Sequence, residues 1–123
     1  MALIKEISIV IPCYNESDNL SILIENCRKI LKTNKIKIEF VIVNNGSNDN
    51  TKKVLKNFNL NKNFKILHLE ENFGYGNGII EGLQYSSCKY LAWTHADLQT
   101  DISDVIRGIK HYSKDSVLVK GNR

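Results

Sequence analysis

Three polar side chains recur at alternate positions late in the chain: His95, Asp97 and Gln99. In extended backbone, alternate residues project to one side, so an imidazole, a carboxylate and a carboxamide would face the same ligand. Such donors can bind a divalent metal or a diphosphate, and the imidazole suits Mn²⁺ better than Mg²⁺. The structural alternative is that Asp97 caps the next helix and His95 is a surface residue. Taken alone, the pattern favours the structural interpretation.

A second polar segment, PCYNE, covers residues 12–16. As structure alone, Pro12 would end a strand, Asn15 would cap a helix and Glu16 would complement the helix dipole. The functional interpretation adds that Tyr14 and the loop backbone form a platform for a flat ring such as a nucleobase. By itself the segment is explained more simply by the structural interpretation.

Two loops rich in asparagine and glycine follow. In residues 44–51, Gly46 permits a positive φ and the asparagines mimic backbone turns, although Asn45 could also recognise a pyrimidine edge. Residues 74–78, GYGNG, lack the spacing and position of a dinucleotide-binding motif. We expect this segment, which includes Gly74, to be a tight loop that lets backbone approach a ligand or a helix.

Apolar patterns place these segments at the ends of strands. Short β-branched runs alternate with stretches whose apolar residues recur every three or four positions. Ser17 or Asn15 could cap the first helix, and Asp101 could cap the fourth. The pattern predicts strands at 7–11, 38–43, 64–69, 90–94 and 117–119, with helices at 20–31, around 54–58, at 79–85 and at 102–109. This βαβαβαβαβ order predicts an α/β fold with a mostly parallel sheet and helices on both faces.

The loops between strands and helices are where a ligand should bind. In open α/β sheets, ligands lie beyond the carboxyl ends of the strands, and helix N-termini there favour anions such as phosphates. Residues 12–17, 44–50, 70–78 and 95–101 would meet at this edge.

The length and composition of the chain indicate which classes of protein it does not belong to. A chain of 123 residues fits one domain, and three cysteines without a C-x-x-C pair are typical of reduced thiols. The net charge is +4, but the lysines are scattered, so we expect no nucleic-acid partner. No apolar run approaches the roughly 20 residues of a membrane span, and no signal peptide is evident. We expect a soluble, cytoplasmic chain.

Five segments in register resemble the family 2 glycosyltransferases of the GT-A fold, particularly the branch similar to dolichyl-phosphate mannose synthase. Residues 9–16 are similar to the family's P-x-Y-N-E, and residues 43–51 to V-D-D-G-S-x-D-x-T. Residues 72–74 match N-x-G, residues 95–99 are similar to D-A-D-L-Q, and residues 121–123 to G-S-R.

The resemblance implies that residues 1–123 are the nucleotide-sugar-binding half of a transferase domain, a GT-A fold truncated after the fifth strand. The implied reaction is inverting transfer of a sugar from a nucleoside-diphosphate sugar to an acceptor, either a polyprenyl phosphate or a cell-envelope glycan. Membrane association would come only from parts outside this chain, at the inner face of the membrane. The resemblance assigns nucleotide-sugar contacts to Pro12, Tyr14, Glu16, Asn45, Gly74, Asp97 and Arg123, and ligands of Mn²⁺ or Mg²⁺ to His95, Asp97 and Gln99.

Three departures from the family pattern qualify that expectation. Asn44, Asn45 and His95 stand where the family has acids. Their loss should weaken binding of a hard divalent cation while lowering repulsion toward phosphates. The alternative is therefore a non-catalytic nucleotide-binding module, a degenerate transferase. No residue can be assigned as general base, so the catalytic residues stay unknown.

Overall fold

Four parallel strands form the central sheet. The computed structural model describes residues 4–98, 101–109, 112, 119 and 120. Within them the strands are β1 (Glu6–Cys13), β2 (Lys37–Asn45), β3 (Phe64–Leu69) and β4 (Tyr90–Trp93), in the order β3-β2-β1-β4. The helices are α1 (Leu20–Thr33), α2 (Thr51–Asn57), α3 (Tyr75–Tyr85) and α4 (Ser103–Ile109). The α/β fold is confirmed, while the fifth predicted strand falls mainly outside the described residues.

Helices cover both faces of this sheet. One face of β1 and β2 carries Ile9, Ile11, Phe40 and Ile42, which pack against apolar residues of α1, α2 and α4. The opposite face carries a smaller valine cluster that packs against Leu83 of α3. Because the central strands are covered on both sides, their sequences are continuous apolar runs.

Helix α3 lies directly on the sheet because two of its three glycines, Gly78 and Gly82, face the side chains of β1 and β2. A Cβ added to Gly82 would collide with Val10 Cγ1 and lie 2.8 Å from Val43 Cγ2. The helix begins at Tyr75, four residues before the predicted start at Ile79. That prediction was wrong because the glycines, which are poor helix formers, are needed here for close packing.

A hydrogen-bond network at the other end of the sheet fixes the connection from α3 to β4. The buried Glu39 carboxylate accepts from Ser8 Oγ at 2.7 Å, from the Ser87 N–H at 2.9 Å and from Ser87 Oγ at 2.6 Å. Lys65 Nζ lies 3.4 Å away. Burial acts to raise the pKa of Glu39, but these donors outweigh it and lower the pKa to about 2. The carboxylate is therefore held in its charged form.

Helix α1 begins at Leu20, as predicted, but its cap differs from the predicted ones. Neither Ser17 nor Asn15 caps this helix; its N-cap is Asn19, whose side chain makes no capping bond. The fourth helix agrees better, since Asp101 Oδ1 accepts from the Ser103 N–H at 2.9 Å. Asp101 is confirmed as a cap of α4. Ser17 and Asn15 do not cap α1 and make other hydrogen bonds, which are described below.

The three cysteines do not form disulfides with one another. Cys13, Cys27 and Cys88 are all free and buried. Burial raises the pKa of the Cys27 thiol to about 12, which keeps it protonated. In the part of the chain that the structure describes, no helix is both long enough and apolar enough to span a membrane.

Candidate functional site

The first two loops at the carboxyl edge of the sheet interlock. Asn15 adopts a positive φ of 53°, and its Oδ1 accepts from the N–H groups of Asn48 at 2.9 Å and Asp49 at 3.3 Å. Its own N–H donates to Ser47 Oγ at 3.0 Å. Asparagine tolerates this backbone conformation better than most residues. Asn15 therefore joins the β1–α1 loop to the β2–α2 loop instead of capping a helix.

Asp49 supports the same junction from the second loop. Its Oδ2 accepts from Ser17 Oγ at 2.9 Å, and its Oδ1 accepts from the Thr51 N–H at 2.9 Å. Burial acts to raise the pKa of Asp49, but the bonds from Thr51 and Ser17 lower it overall. In return, Thr51 Oγ1 accepts from the Glu16 N–H at 3.2 Å. The two loops form one hydrogen-bonded unit.

This unit presents Tyr14 at the surface. The Tyr14 side chain is 44% exposed, and its hydroxyl accepts from Asn48 Nδ2 at 3.4 Å. Glu16 is half-buried, and its Oε2 accepts from Asn19 Nδ2 at 2.7 Å. An exposed ring on a braced loop can stack against a flat ligand group.

Pro12 lies inside β1 and does not end it, contrary to the prediction. Pro12 pairs with Val43, and the strand continues to Cys13. A backbone N–H at position 12 would point toward β4, on the same side as the Val10 carbonyl oxygen, which accepts from the Thr94 N–H at 3.0 Å. Because the pairing of β1 with β4 ends at Val10, no paired residue of β4 loses a hydrogen bond through the missing N–H of Pro12.

The end of β2 contacts the glycine-rich segment. Asn45 is buried, and its Nδ2 donates to the Gly74 carbonyl oxygen at 3.1 Å. Gly74 has a φ of 106°, and its N–H donates to Asn72 Oδ1 at 2.7 Å. Gly46 makes a second close approach, since a Cβ there would collide with Asn72 N. The expectation of a tight loop at residues 74–78 is confirmed only for Gly74 and is wrong for residues 75–78, which belong to α3.

The neighbouring Asn44 faces a different environment. Its Nδ2 lies 3.1 Å from His68 Nδ1. Burial, followed by the charges of Lys52 and Lys56, lowers the pKa of His68. The Oδ1 atoms of Asn44 and Asn45 are both buried without a hydrogen-bond partner. The two adjacent amides therefore have separate partners on opposite faces of the sheet.

The loop after β4 is joined to the start of α3 by an aromatic pair. The Tyr75 and His95 rings stack with centroids 5.1 Å apart and planes 9° apart. The Tyr75 hydroxyl donates to the Thr94 carbonyl oxygen at 3.3 Å. Sequence reasoning missed Tyr75, although an aromatic residue inside a glycine-rich segment at a strand's carboxyl edge is a usable signal.

The segment after His95 turns instead of staying extended. Leu98 has a φ of 66°, so the expectation of uniform alternation through residue 99 is wrong. Ala96 is buried and Leu98 packs against the core, which leaves Asp97 exposed at the edge. Gln99 and Arg123 lie outside the described residues.

A divalent metal would have to share this site with a substrate. Within residues 4–98, 101–109, 112, 119 and 120, no group of three or more His, Cys, Asp or Glu side chains is placed to hold a metal. Asp97 and His95 are the described candidates. Sites for Mg²⁺ in phosphate chemistry commonly use one or two carboxylates together with substrate phosphates. The donor set fits such a shared site and does not fit one built from these side chains alone.

The four-stranded parallel sheet with helices on both faces matches the GT-A, Rossmann-like fold. Residues 8–123 match the family described as "Glycosyl transferase family 2". The chain belongs to family 2 of the glycosyltransferases, a family of enzymes.

Several relatives support this membership. The chain is 31% identical over 121 residues to a poly-beta-1,6-N-acetyl-D-glucosamine synthase of Staphylococcus epidermidis, covering 97% of this chain and 29% of the relative. It is 39% identical over 95 residues to an uncharacterized glycosyltransferase of Synechocystis sp., covering 76% and 30%. The chain thus spans less than a third of the length of these relatives. The particular resemblance to the dolichyl-phosphate mannose synthase branch is not confirmed.

Solved structures share the fold. S. aureus TarS, residues 1–349, superposes with a TM-score of 0.67 at 22% identity, covering 86% of this chain and 32% of that one. A mannosyltransferase of Pyrobaculum calidifontis, solved with GDP-Man and Mn²⁺, gives 0.62 at 20% identity, covering 74% and 27%. TarS has also been solved with UDP and with UDP-GlcNAc.

Proposed function

We propose that this chain binds the nucleoside-diphosphate sugar of a family 2 glycosyltransferase at the carboxyl edge of its sheet. The observation that carries the proposal is the interlocked pair of loops that holds Tyr14 exposed beside the ends of β1 and β2. The structural neighbours that bind UDP, UDP-GlcNAc or GDP-Man support this ligand class.

The site residues divide between the two ends of the donor. Pro12, Tyr14 and Glu16 frame the base and ribose, with Asn45 at the end of the adjacent strand. The diphosphate lies between the start of α3, at Gly74, and the loop that carries His95 and Asp97. This placement uses the electropositive N-terminus of an eleven-residue helix. Gln99 and Arg123 complete the phosphate contacts in the proposal.

The chemistry is inverting transfer of the sugar to an acceptor. As the bond from the sugar to the diphosphate breaks, negative charge grows on the departing phosphate, and donors near Gly74 stabilise it. Asp97, with His95 and Gln99, would hold Mn²⁺ or Mg²⁺, which supplies further charge stabilisation when bound. The acceptor is proposed to be a cell-envelope glycan or a polyprenyl phosphate, and the similarity to poly-beta-1,6-N-acetyl-D-glucosamine synthase favours the glycan.

We place this reaction on the cytoplasmic side of the membrane. The three free, buried cysteines are typical of a reducing compartment. Membrane association is assigned to parts of the protein outside these residues.

A second candidate is a nucleotide-binding module without transferase chemistry. Asn44, Asn45 and His95 replace three acids of the family pattern, which lowers the negative charge available to a metal. In that case the nucleotide binds equally well with and without a divalent ion.

Titration calorimetry with UDP and GDP, in Mn²⁺ and then in EDTA, tests the proposed site. We expect one nucleotide to bind about tenfold more tightly with Mn²⁺, a difference of about 1.4 kcal/mol, because the ion would be shared between a carboxylate and the phosphates of the ligand. Asp97→Asn should abolish this increment, and the matched control Asp104→Asn on α4 should keep it. No binding of either nucleotide in any condition would contradict the proposal, and metal-independent binding would favour the second candidate.

A further inference from the structure

We propose that Asn45 is a positioning residue, whose side-chain amide holds the Gly74 turn and the start of α3 over the carboxyl end of β2. The carbonyl oxygen of Gly74 accepts from Asn45 Nδ2 at 3.1 Å and from the Gly78 N–H at 3.2 Å. One oxygen atom thus joins the strand end to the first turn of the helix. The part of the proposal that concerns donor binding rests on the function proposed above.

The fit around the Asn45 amide is close. A Cβ added to Gly78 would lie 2.8 Å from Nδ2 and 3.1 Å from Cγ of Asn45. Asn45 is 2% exposed. The amide therefore lies between the strand and the helix, and only glycine at position 78 leaves room for it.

The chemistry of the amide distinguishes it from the acid at this position in the family pattern. A carboxylate has no N–H and cannot donate to the Gly74 carbonyl. An ionised Asp would instead place a negative charge about 3 Å from a carbonyl oxygen, at a buried position where ionisation is costly, so an acid could keep the bond only in its protonated form. The dipole of α3 would offset only a small part of that cost.

The proposed nucleotide-sugar site depends on the Asn45 hydrogen bond because two elements that face the phosphates, the start of α3 and the loop that carries His95, are joined next to Gly74. Asn72 Oδ1 accepts the Gly74 N–H at 2.7 Å, and Tyr75, the next residue, stacks on His95. A displacement of Gly74 would therefore move the start of α3 and the aromatic pair together. Asn45 acts on the ligand through this turn.

The change Asn45→Asp, which restores the family residue, tests the proposal with Asn44→Asp as its matched control. Asn44 is also buried and undergoes the same exchange of amide for acid, but its amide lies 3.1 Å from His68 Nδ1 and on the opposite face of the sheet from α3. We expect Asn45→Asp to weaken UDP or GDP binding about tenfold or more, as loss of a buried hydrogen bond predicts. Asn44→Asp should change affinity less than about threefold, because the Asn44 side chain does not bond to the Gly74 turn.

Two NMR measurements distinguish the loss of the hydrogen bond from Asn45 to Gly74 from a general loss of stability of the fold. In the unmodified protein, NMR should detect a through-hydrogen-bond coupling between Asn45 Nδ2 and the Gly74 carbonyl carbon, with no nucleotide present. Gly78→Ala should abolish this coupling, whereas Gly76→Ala, where an added Cβ meets nothing within 4 Å, should keep it.

The outcomes are distinguishable. If the coupling is absent, or if Asn45→Asp binds nucleotide as tightly as the unmodified protein, Asn45 does not position the turn. If the coupling is present and neither nucleotide binds the unmodified protein, the anchor stands and the proposed function fails.

Discussion

Gly46→Ala should lower the free energy of unfolding by about 2–5 kcal/mol. Gly46 has a φ of 69°, a conformation that costs an L-residue about 1–2 kcal/mol. The new Cβ would also collide with Asn72 N and lie 2.9 Å from Glu71 Cα. Because both atoms belong to backbone, the loop after β3 would have to move. Urea denaturation followed by circular dichroism measures the change.

Gly74→Ala is the control for this prediction. Gly74 also has a positive φ, at 106°, but an added Cβ meets nothing within 4 Å. It therefore carries backbone strain without the collision, about 1–3 kcal/mol, because its φ of 106° and ψ of 163° are essentially restricted to glycine. A cost for Gly46→Ala below about 1 kcal/mol would show that the loop does not approach Gly46 as closely as described.

Glu39→Gln should reduce the acid sensitivity of this fold. The pKa of Glu39 is lowered to about 2, against about 4.3 in an unfolded chain. A carboxyl whose pKa is lower when folded stabilises the protein above the unfolded value. That contribution is lost as the pH falls from about 4.3 toward 2, and it amounts to about 3 kcal/mol.

Chemical denaturation between pH 2.5 and pH 7 measures this contribution. The difference in stability between the unmodified protein and Glu39→Gln should shrink as the pH falls through that window. Asp49 and Asp101 also have lowered pKa values, but they are present in both proteins and cancel in the difference. Glu25→Gln, which changes an exposed acid on α1, should show a constant difference in the free energy of unfolding from the unmodified protein over this pH range. A difference that stays constant from pH 7 to pH 2.5 would contradict the role given to Glu39.

The fold was predictable because periodicity records which faces of an element are buried. The continuous apolar run at residues 7–11 and the helical spacing from Leu20 to Leu31 correspond to β1 and α1. The position of Asp97 at the carboxyl edge followed from the same order of strands. These features depend on local pattern and on general rules of topology.

The errors concern residues whose partners are distant in sequence. Asn15 was interpreted as a local cap, yet its Oδ1 binds backbone 33 and 34 residues away. Pro12 fits inside a strand because the neighbouring strand is short, which residue 12 itself does not encode. Helix α3 starts early because Gly78 and Gly82 pack against side chains of other strands. In each case, tertiary contacts outweighed local propensity.

The most direct test of the proposed donor site is a ¹H–¹⁵N NMR titration of the uniformly labelled chain with UDP and with GDP in Mg²⁺. If the proposed site is correct, the perturbed amides should cluster at the carboxyl edge of the sheet, in residues 14–16, 45–48, 74–76 and 95–98. Amides of the Glu39 network at the opposite end, such as those of Ser8 and Ser87, should stay unchanged. Perturbations centred on that opposite end, or none with either nucleotide at millimolar concentration, would contradict it.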